Sequence, residues 1–461
     1  MLKDSSKNLT EGSLFKGIIL FGLPLIATNL LQILFNMADL IVVGNFSGTV
    51  SLGSVGSTVS LIHLYTGFLI GIGGGINSIV ARYFGAGDDE GVKKAVHTSG
   101  VFCLITGIIT FAISASTSYF VLNLLGTKPE YMEKAVTYIV IYSAGLPALS
   151  IYNFGNGVLG AVGDTKNPLI YLLVSGAVNV VLNVLFVVTF KMDVVGVALA
   201  SVISQYLSAF LVMFLLEKTN GVFRFSFKGI KDNLDGEKLS QIFKIGLPSG
   251  AQFIIFQIAN LFVQGGVNTF SKETVAGNAA AGQFDGLVLD AMGAFNIACA
   301  SFIAQNYGAR KKDRILKSYF ISMLYAFTLG AIMGVTVAVF GEFFTSIFVD
   351  EYDPAVIAAG ALRLKVMGLS FAFSTFMDCT ISASRGLGKS IIPTFIVIAG
   401  SCIFRIVWIY TVFAYFKSPE WLYLVYIFSW TLTAIAEIIY FVIIYKKLTA
   451  DFCEEQIKAA A

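Results

Sequence analysis

The sequence predicts an all-α integral membrane protein of twelve transmembrane helices, arranged as two six-helix lobes related by pseudo-two-fold symmetry and V-shaped around a central cavity. Three observations carry this reading. Of 461 residues, 56% are hydrophobic and only 13% charged, against about a quarter charged in an ordinary soluble domain. Apolar runs long enough to cross the hydrocarbon core, which takes about 20 residues, recur twelve times with short polar breaks. The second half of the chain also repeats landmarks of the first.

The first run starts near Leu14 after a short polar tail and continues to Val43. It lacks a small-residue cleavage signature, so it is expected to be a retained helix and not a signal peptide. Further runs cover about 52 to 81, 95 to 124, 132 to 159, 168 to 190, 194 to 216, 240 to 269, 275 to 305, 316 to 347, 356 to 384, 391 to 416 and 420 to 445. An even number places both ends on one side. Of the 31 lysines and arginines, 23 fall in the tails and even-numbered loops, among them Lys3 and Lys458, while seven fall on the opposite side and Arg405 lies within a run. That bias predicts cytoplasmic termini. The closing Lys458-Ala-Ala-Ala461 is set aside from fold reasoning.

The formal charge of +3 gives no footing for nucleic-acid binding. Cys103, Cys299, Cys379, Cys402 and Cys453 form no CxxC pair and sit mostly in apolar runs, which reads as small core residues. His63 and His97 are too isolated for a zinc site, and His63 is expected to be a packed polar residue.

Self-comparison supplies the lobes. Gly22-Leu23-Pro24 recurs as Gly246-Leu247-Pro248, and Ala81-Arg82-Tyr83-Phe84-Gly85-Ala86 as Ala304-Gln305-Asn306-Tyr307-Gly308-Ala309. Gly145-Leu146 recurs as Gly368-Leu369, and Gly163 with Pro168 as Gly388 with Pro393. Each half begins on the same side, so the repeat is parallel, about an axis along the membrane normal. The expected division is an N-lobe over 1–216, a polar, basic cytoplasmic loop over 217–239, and a C-lobe over 240–461.

Ionisable residues inside such runs are expensive and face the interior or a cavity, so each is a site candidate. In the N-lobe Asp39 is the only deep carboxylate, and its repeat counterpart is Val263, so the shared fold does not require it. With about 1.5 Å of rise per residue, Asn179 and Asn183 on the fifth run reach the level of Asp39, from one helix face, and Ser201 enters from the sixth. A carboxylate, amide carbonyls and a hydroxyl are hard oxygen donors suited to Na⁺, which makes Asp39, Asn179 and Asn183 candidate metal ligands. The same desolvated carboxylate can instead hold a proton. Interhelical hydrogen bonding is the bland alternative for the asparagines. Asn153 on the fourth run completes the candidate cation-coupling set.

In the C-lobe, Gln257, Asn260, Gln283, Asp285 and Asp378 are candidates for a substrate path, since an acid facing a cavity attracts a cationic solute. Arg405 needs a partner at its depth, and a structural ion pair with Glu437 is expected, with Asp378 as the other acid available. Two decoys fail. Ala383-Ser-Arg-Gly-Leu-Gly-Lys-Ser390 is close to a phosphate-cradling loop but has Ala383 for the first glycine and no strand before it, so it reads as a helix end. Gly71-Ile-Gly-Gly-Gly75 has no dinucleotide-binding context and reads as a close-packing or kink site.

Gly22-Leu-Pro24, Met37-Ala-Asp39-Leu-Ile-Val-Val-Gly44, Tyr83-Phe-Gly-Ala86, His97-Thr98, Ala161-Val-Gly-Asp-Thr165 with Pro168, Gln305-Asn306-Tyr-Gly-Ala309 and Arg385-Gly-Leu-Gly-Lys-Ser390 occur in this order along the chain. Together they resemble the multidrug and toxic compound extrusion (MATE) family, in its bacterial branch with a cation site in the N-lobe. The resemblance implies a plasma-membrane antiporter, not an enzyme, that exports organic, often cationic drugs through alternating access against entry of Na⁺ or H⁺. It implies a monomer in the lipid bilayer, with drugs as partners, no nucleic acid, and Na⁺ as the one candidate cofactor. Asp39, Asn179 and Ser201 fall on the branch's cation positions. Asn183 stands where many relatives carry a second aspartate, and Gly160 where many carry arginine.

Two rival functions fit the sequence less well. A lipid-linked saccharide flippase resembles this architecture but needs several cations for its anionic headgroups, and Arg405 is the only deep one read from the sequence. A polytopic membrane enzyme needs a nucleophile beside a base, and none is evident.

Overall fold

The computed structural model describes residues 5–348, 353–450 and 452, so Lys3, Cys453 and Lys458-Ala-Ala-Ala461 lie outside the described residues. Among these, eleven helices are each long and apolar enough to cross a membrane, and a bent pair makes a twelfth span. The spans are α1 (Leu14–Ser47), α2 (Thr49–Ala86), α3 (Asp89–Leu124), α4 in two segments (Pro129–Ser143 and Leu146–Ala161), α5 (Lys166–Thr189) and α6 (Asp193–Lys218). Then follow α7 (Gly236–Val267), α8 (Lys272–Gly308), α9 (Lys312–Val339), α10 (Pro354–Gly386), α11 (Ile391–Phe416) and α12 (Pro419–Leu448). In hydrocarbon every backbone group must be bonded within the segment, which makes helices of these apolar runs.

Local chemistry sets the boundaries. Asp88 caps α3 by accepting from the Gly91 N–H at 2.8 Å, and Ser271 caps α8 from the Thr274 N–H at 3.3 Å. Gly163 and Gly388 occupy the same place in the two repeats and both turn with positive φ, 83° and 79°, a conformation open to glycine.

One expected straight run is broken. Between Ser143 and Leu146 the axis of α4 turns by 47°. The cause is Pro147, which has no N–H to return to the Ser143 carbonyl; the Tyr206 hydroxyl instead donates to the Ala144 carbonyl beside the bend at 3.1 Å. At the repeat position Ser370 keeps its N–H, and α10 continues unbroken. A second irregularity is shared by both repeats: α5 loosens into π-helical turns at Val184–Thr189 and α11 at Ile409–Phe413. α11 has a further such stretch at Ile398–Ile403.

By packing, the chain falls into two compact units, one of residues up to Leu9 with Ala27–Ile254, the other of Thr10–Ile26 with Ile255 onward. The seams therefore run inside α1 and α7, close after Pro24 and Pro248, whereas the sequence division follows the repeat and the linker at 217–239.

In the first unit, the glycines of α2 let three helices meet at backbone distance. A Cβ on Gly75 would lie 2.5 Å from the Gly246 Cα of α7, one on Gly71 would lie 2.6 Å from the Ser249 carbonyl oxygen, and one on Gly73 would lie 2.8 Å from the Asn153 carbonyl oxygen of α4. The 217–239 segment is more than a solvated linker. Phe223 and Phe225 are buried, and the Phe225 ring stacks on His97 with centroids 5.0 Å apart. His97 Nε2 accepts from the Ser226 N–H at 3.0 Å, and Thr98 Oγ1 from the Asp235 N–H at 3.1 Å. In the sequence these two aromatics stand in a segment rich in basic residues. His63, by contrast, is exposed on α2, which corrects the packed reading.

In the second unit, the first half of α1 packs on α8. The Phe21 and Phe302 rings meet edge to face at 5.7 Å, and a Cβ on Gly22 would lie 2.8 Å from the Phe295 ring. Lys311 Nζ donates to the Thr10 carbonyl at 2.9 Å, and Arg314 donates to the carbonyls of Gly12 and Glu11 at 3.0 and 3.1 Å. The core of this unit is built by Leu364, Met367 and Phe371 of α10 with Leu422, Val425 and Trp430 of α12. The Ala383–Ser390 segment is a helix end, closed by the Lys389 N–H on the Ser384 carbonyl at 2.9 Å.

Candidate cation site

Asp39 lies on α1, partly buried, in the first unit. Its Oδ1 accepts from Asn183 Nδ2 at 2.5 Å and its Oδ2 from Ser201 Oγ at 3.3 Å. Asn183 Nδ2 also donates to Asn179 Oδ1 at 3.2 Å, across the four-residue interval that puts both on one face of α5. The helix is cut to fit this approach. Gly176 leaves the space in which the Phe35 ring of α1 lies against α5, one turn before Asp39 on α1 and three residues before Asn179 on α5. Asn183 is also the last residue before the π-helical turns of α5, a feature often found at functional sites.

Ser201, Asn179 and Asn183 are buried, Asn183 completely. Asn183 Oδ1 is buried and accepts no hydrogen bond from any described residue. An uncommitted amide oxygen beside a carboxylate, with a second amide oxygen and a hydroxyl, fits a small monovalent cation held by oxygen. Among the described residues no three His, Cys, Asp or Glu side chains come together to hold a metal. Asn153, the fourth-run candidate, is buried but donates to its own helix at the Leu149 carbonyl, 3.0 Å away.

Sequence reasoning missed one neighbour. Tyr138 of α4, 3% exposed, packs with Val42 and Val43 of α1 and Val187 of α5 in the apolar cluster one turn beyond Asp39. Its only sequence signal was its place near the start of the fourth run.

The second unit rearranges several expectations. Asp285 is buried against Arg363, whose Nη2 and Nε both reach Oδ2, at 2.5 and 2.9 Å. Arg363 Nη1 donates to Asn278 Oδ1, and the guanidinium lies over the Tyr423 ring at 5.2 Å. Asp285 is thus paired, and Arg405 is not the only deep cation. Arg363 lies only seven residues into the tenth run and counts among the seven basic residues of the outer side by sequence.

The expected Arg405–Glu437 ion pair does not form. Arg405 Nη1 donates to Asn260 Oδ1 at 2.9 Å and Nε to Ser429 Oγ at 3.2 Å, and the guanidinium lies over Tyr426 at 4.5 Å. Glu437 lies two turns beyond Ser429 on α12, about 12 Å along the axis, out of reach. Asn260 is therefore engaged by Arg405. Asp378 is partly buried and forms no ion pair among the described residues, while Gln257 is partly buried and Gln283 exposed.

Known proteins resemble this chain in sequence and in fold. YoeA of Bacillus subtilis (strain 168), a probable multidrug resistance protein, is 26% identical over 394 residues, 84% of each chain. YpnP of the same organism, also a probable multidrug resistance protein, is 28% identical over 369 residues, 79% of this chain and 81% of its own. The outward-facing structure of a multidrug resistance MATE family transporter of the MOP superfamily superposes with a TM-score of 0.88 at 21% identity, covering 98% of this chain and all of that one. The MatE family profile matches twice, over residues 24–185 and 248–411, one match in each sequence repeat, and the chain belongs to the MatE family of membrane transporters.

Proposed function

We propose that this protein exports organic, chiefly cationic drugs by antiport against an entering cation, Na⁺ or H⁺, with Asp39 as the coupling group. The observation that carries this reading is the Asp39 carboxylate joined to Asn183 and Ser201 from two other helices, with Asn183 Oδ1 left without a donor. The family match and the multidrug resistance relatives support drug export.

In this reading the protein works as a monomer in a bacterial plasma membrane, with both termini in the cytoplasm. Asp39, Asn179, Asn183 and Ser201 hold the cation, or Asp39 holds a proton in its place. A cation moves a conformational equilibrium only as far as its affinity differs between the two states. The arrangement of the Asp39 site supports that condition: the groups around it come from α1, α5 and α6, so a shift of any one helix would change the number of oxygens offered. Alternating access follows when the loaded and empty site favour different helix arrangements.

The test is efflux of a fluorescent organic cation from proteoliposomes, with sodium and pH gradients imposed separately. Asp39→Asn should abolish gradient-driven accumulation while leaving downhill exchange measurable. Undiminished uphill transport in that variant removes Asp39 from coupling, and the gradient that drives the wild type names the ion.

A further inference from the structure

Glu437 is fully buried on α12, at 0% exposure, and neither carboxylate oxygen has a hydrogen-bond partner among the described residues. Two arginines on the elements packed against α12 are engaged elsewhere. Arg363 of α10 holds Asp285, and Arg405 of α11 holds Asn260 and Ser429. Asp378 and Arg385 of α10 form no ion pair with Glu437, and Tyr319 of α9 shares its hydroxyl with Thr380 at 2.7 Å. An ionised carboxylate with no donor in a medium of low dielectric is costly enough that the group takes up a proton instead.

Its surroundings give the site a direction. Ser429, Thr433 and Glu437 recur at every fourth position and share one face of α12. Thr433 Oγ1 meets Ser401 Oγ of α11 at 2.8 Å, and Ser429 meets Arg405, which leads to Asn260 and Tyr426. From Tyr426 to Glu437 this buried polar stripe spans about 16 Å, half of the hydrocarbon thickness of about 30 Å.

We propose that Glu437 is a proton-binding site, loaded in this conformation, that exchanges its proton with water only when the helices around it move. The carboxylate gains one proton from water to become the neutral acid and returns it to water on release. Glu437 does this whether or not Asp39 couples transport.

The experiment is infrared difference spectroscopy of the whole protein in lipid vesicles at neutral pH, in H₂O and D₂O, with and without ethidium under an imposed gradient. A protonated-carboxyl stretch should be present in the wild type and in Asp39→Asn and lost in Glu437→Gln. It should shift slowly in D₂O alone and faster during turnover. A carboxyl region identical in wild type and Glu437→Gln overturns the proposal, and so does a band that never shifts during turnover. If Glu437→Gln does not fold, Glu437→Asp replaces it: a displaced band supports the loaded site and an unmoved one overturns it. Failure of the Asp39 reading appears in the flux assay and leaves this band intact, so the two are separable.

Discussion

Replacing Arg363 by methionine leaves the Asp285 carboxylate buried without its counter-ion. Both side chains are nearly inaccessible, at 11% for Arg363 and 9% for Asp285, and Asp285 Oδ1 already lacks a partner. Removing one member of such a pair typically costs about 3–5 kcal/mol, because the orphaned charge remains in place. For a cooperative unit of roughly this size, each kcal/mol moves the melting point by about 2–4 °C, so Arg363→Met should lower it by roughly 6–20 °C. The double variant Arg363→Met, Asp285→Leu removes both charges and should recover most of that loss, since a hydrophobic replacement of a buried pair is often neutral. The assay is thermal unfolding of purified protein in detergent at a fixed scan rate, read by exposure of the four buried cysteines Cys103, Cys299, Cys379 and Cys402 to a thiol-reactive dye. A single variant that melts with the wild type, or a double variant no better than the single, refutes the reasoning. Loss of transport without loss of stability would instead put Asp285 on a substrate path.

Gly75→Val drives a side chain into the backbone of α7, where a Cβ would already lie 2.5 Å from Gly246; the melting point should fall by several degrees, while Gly56→Ala, with nothing within 4 Å, should leave it unchanged. Gly176→Leu evicts the Phe35 ring from α5 and costs about 1–3 kcal/mol as overpacking; gradient-driven efflux in proteoliposomes should fall with it, because Phe35 and Asp39 share α1. His97→Ala removes the acceptor for the Ser226 N–H and the stacking partner of Phe225, and limited proteolysis should then cut the 217–239 segment several-fold faster. Asp235 caps α7, and the N–H groups of Lys238 and Glu237 hold its carboxyl below the usual aspartate value. A lowered value means the cap is intact above the ordinary aspartate range and lost as pH falls through the folded value. Proteolysis of the linker should therefore be flat through neutral pH and rise only in strong acid; a rise near neutrality counts against the cap.

The spans and their repeat were legible because hydrocarbon permits few solutions: an apolar run without partners for its backbone becomes a helix. Asp39, Asn183 and Ser201 were legible for a related reason, since polar residues at one depth in apolar helices tend to find one another. What escaped was whatever depends on a single atom or on rotation about a helix axis. Pro147 breaks α4 by the absence of one N–H, where Ser370 at the equivalent place does not. Arg405 chose Asn260, Ser429 and Tyr426 over Glu437 because two helical turns separate Ser429 from the acid, a distance that charge matching ignores. Phe223 and Phe225 were masked by the lysines around them.

The exchange of helix halves between the units makes the two repeats inseparable parts. A fragment ending at residue 216 would leave the glycine groove of α2 at Gly71 and Gly75 without the segment that fills it, and a fragment starting at 240 would leave Phe295 and Phe302 bare of α1. Each piece should misfold alone and should be rescued by co-expression with the other. By the same logic, a single repeat with these contacts would pair as two identical chains trading their first helices, a swapped homodimer.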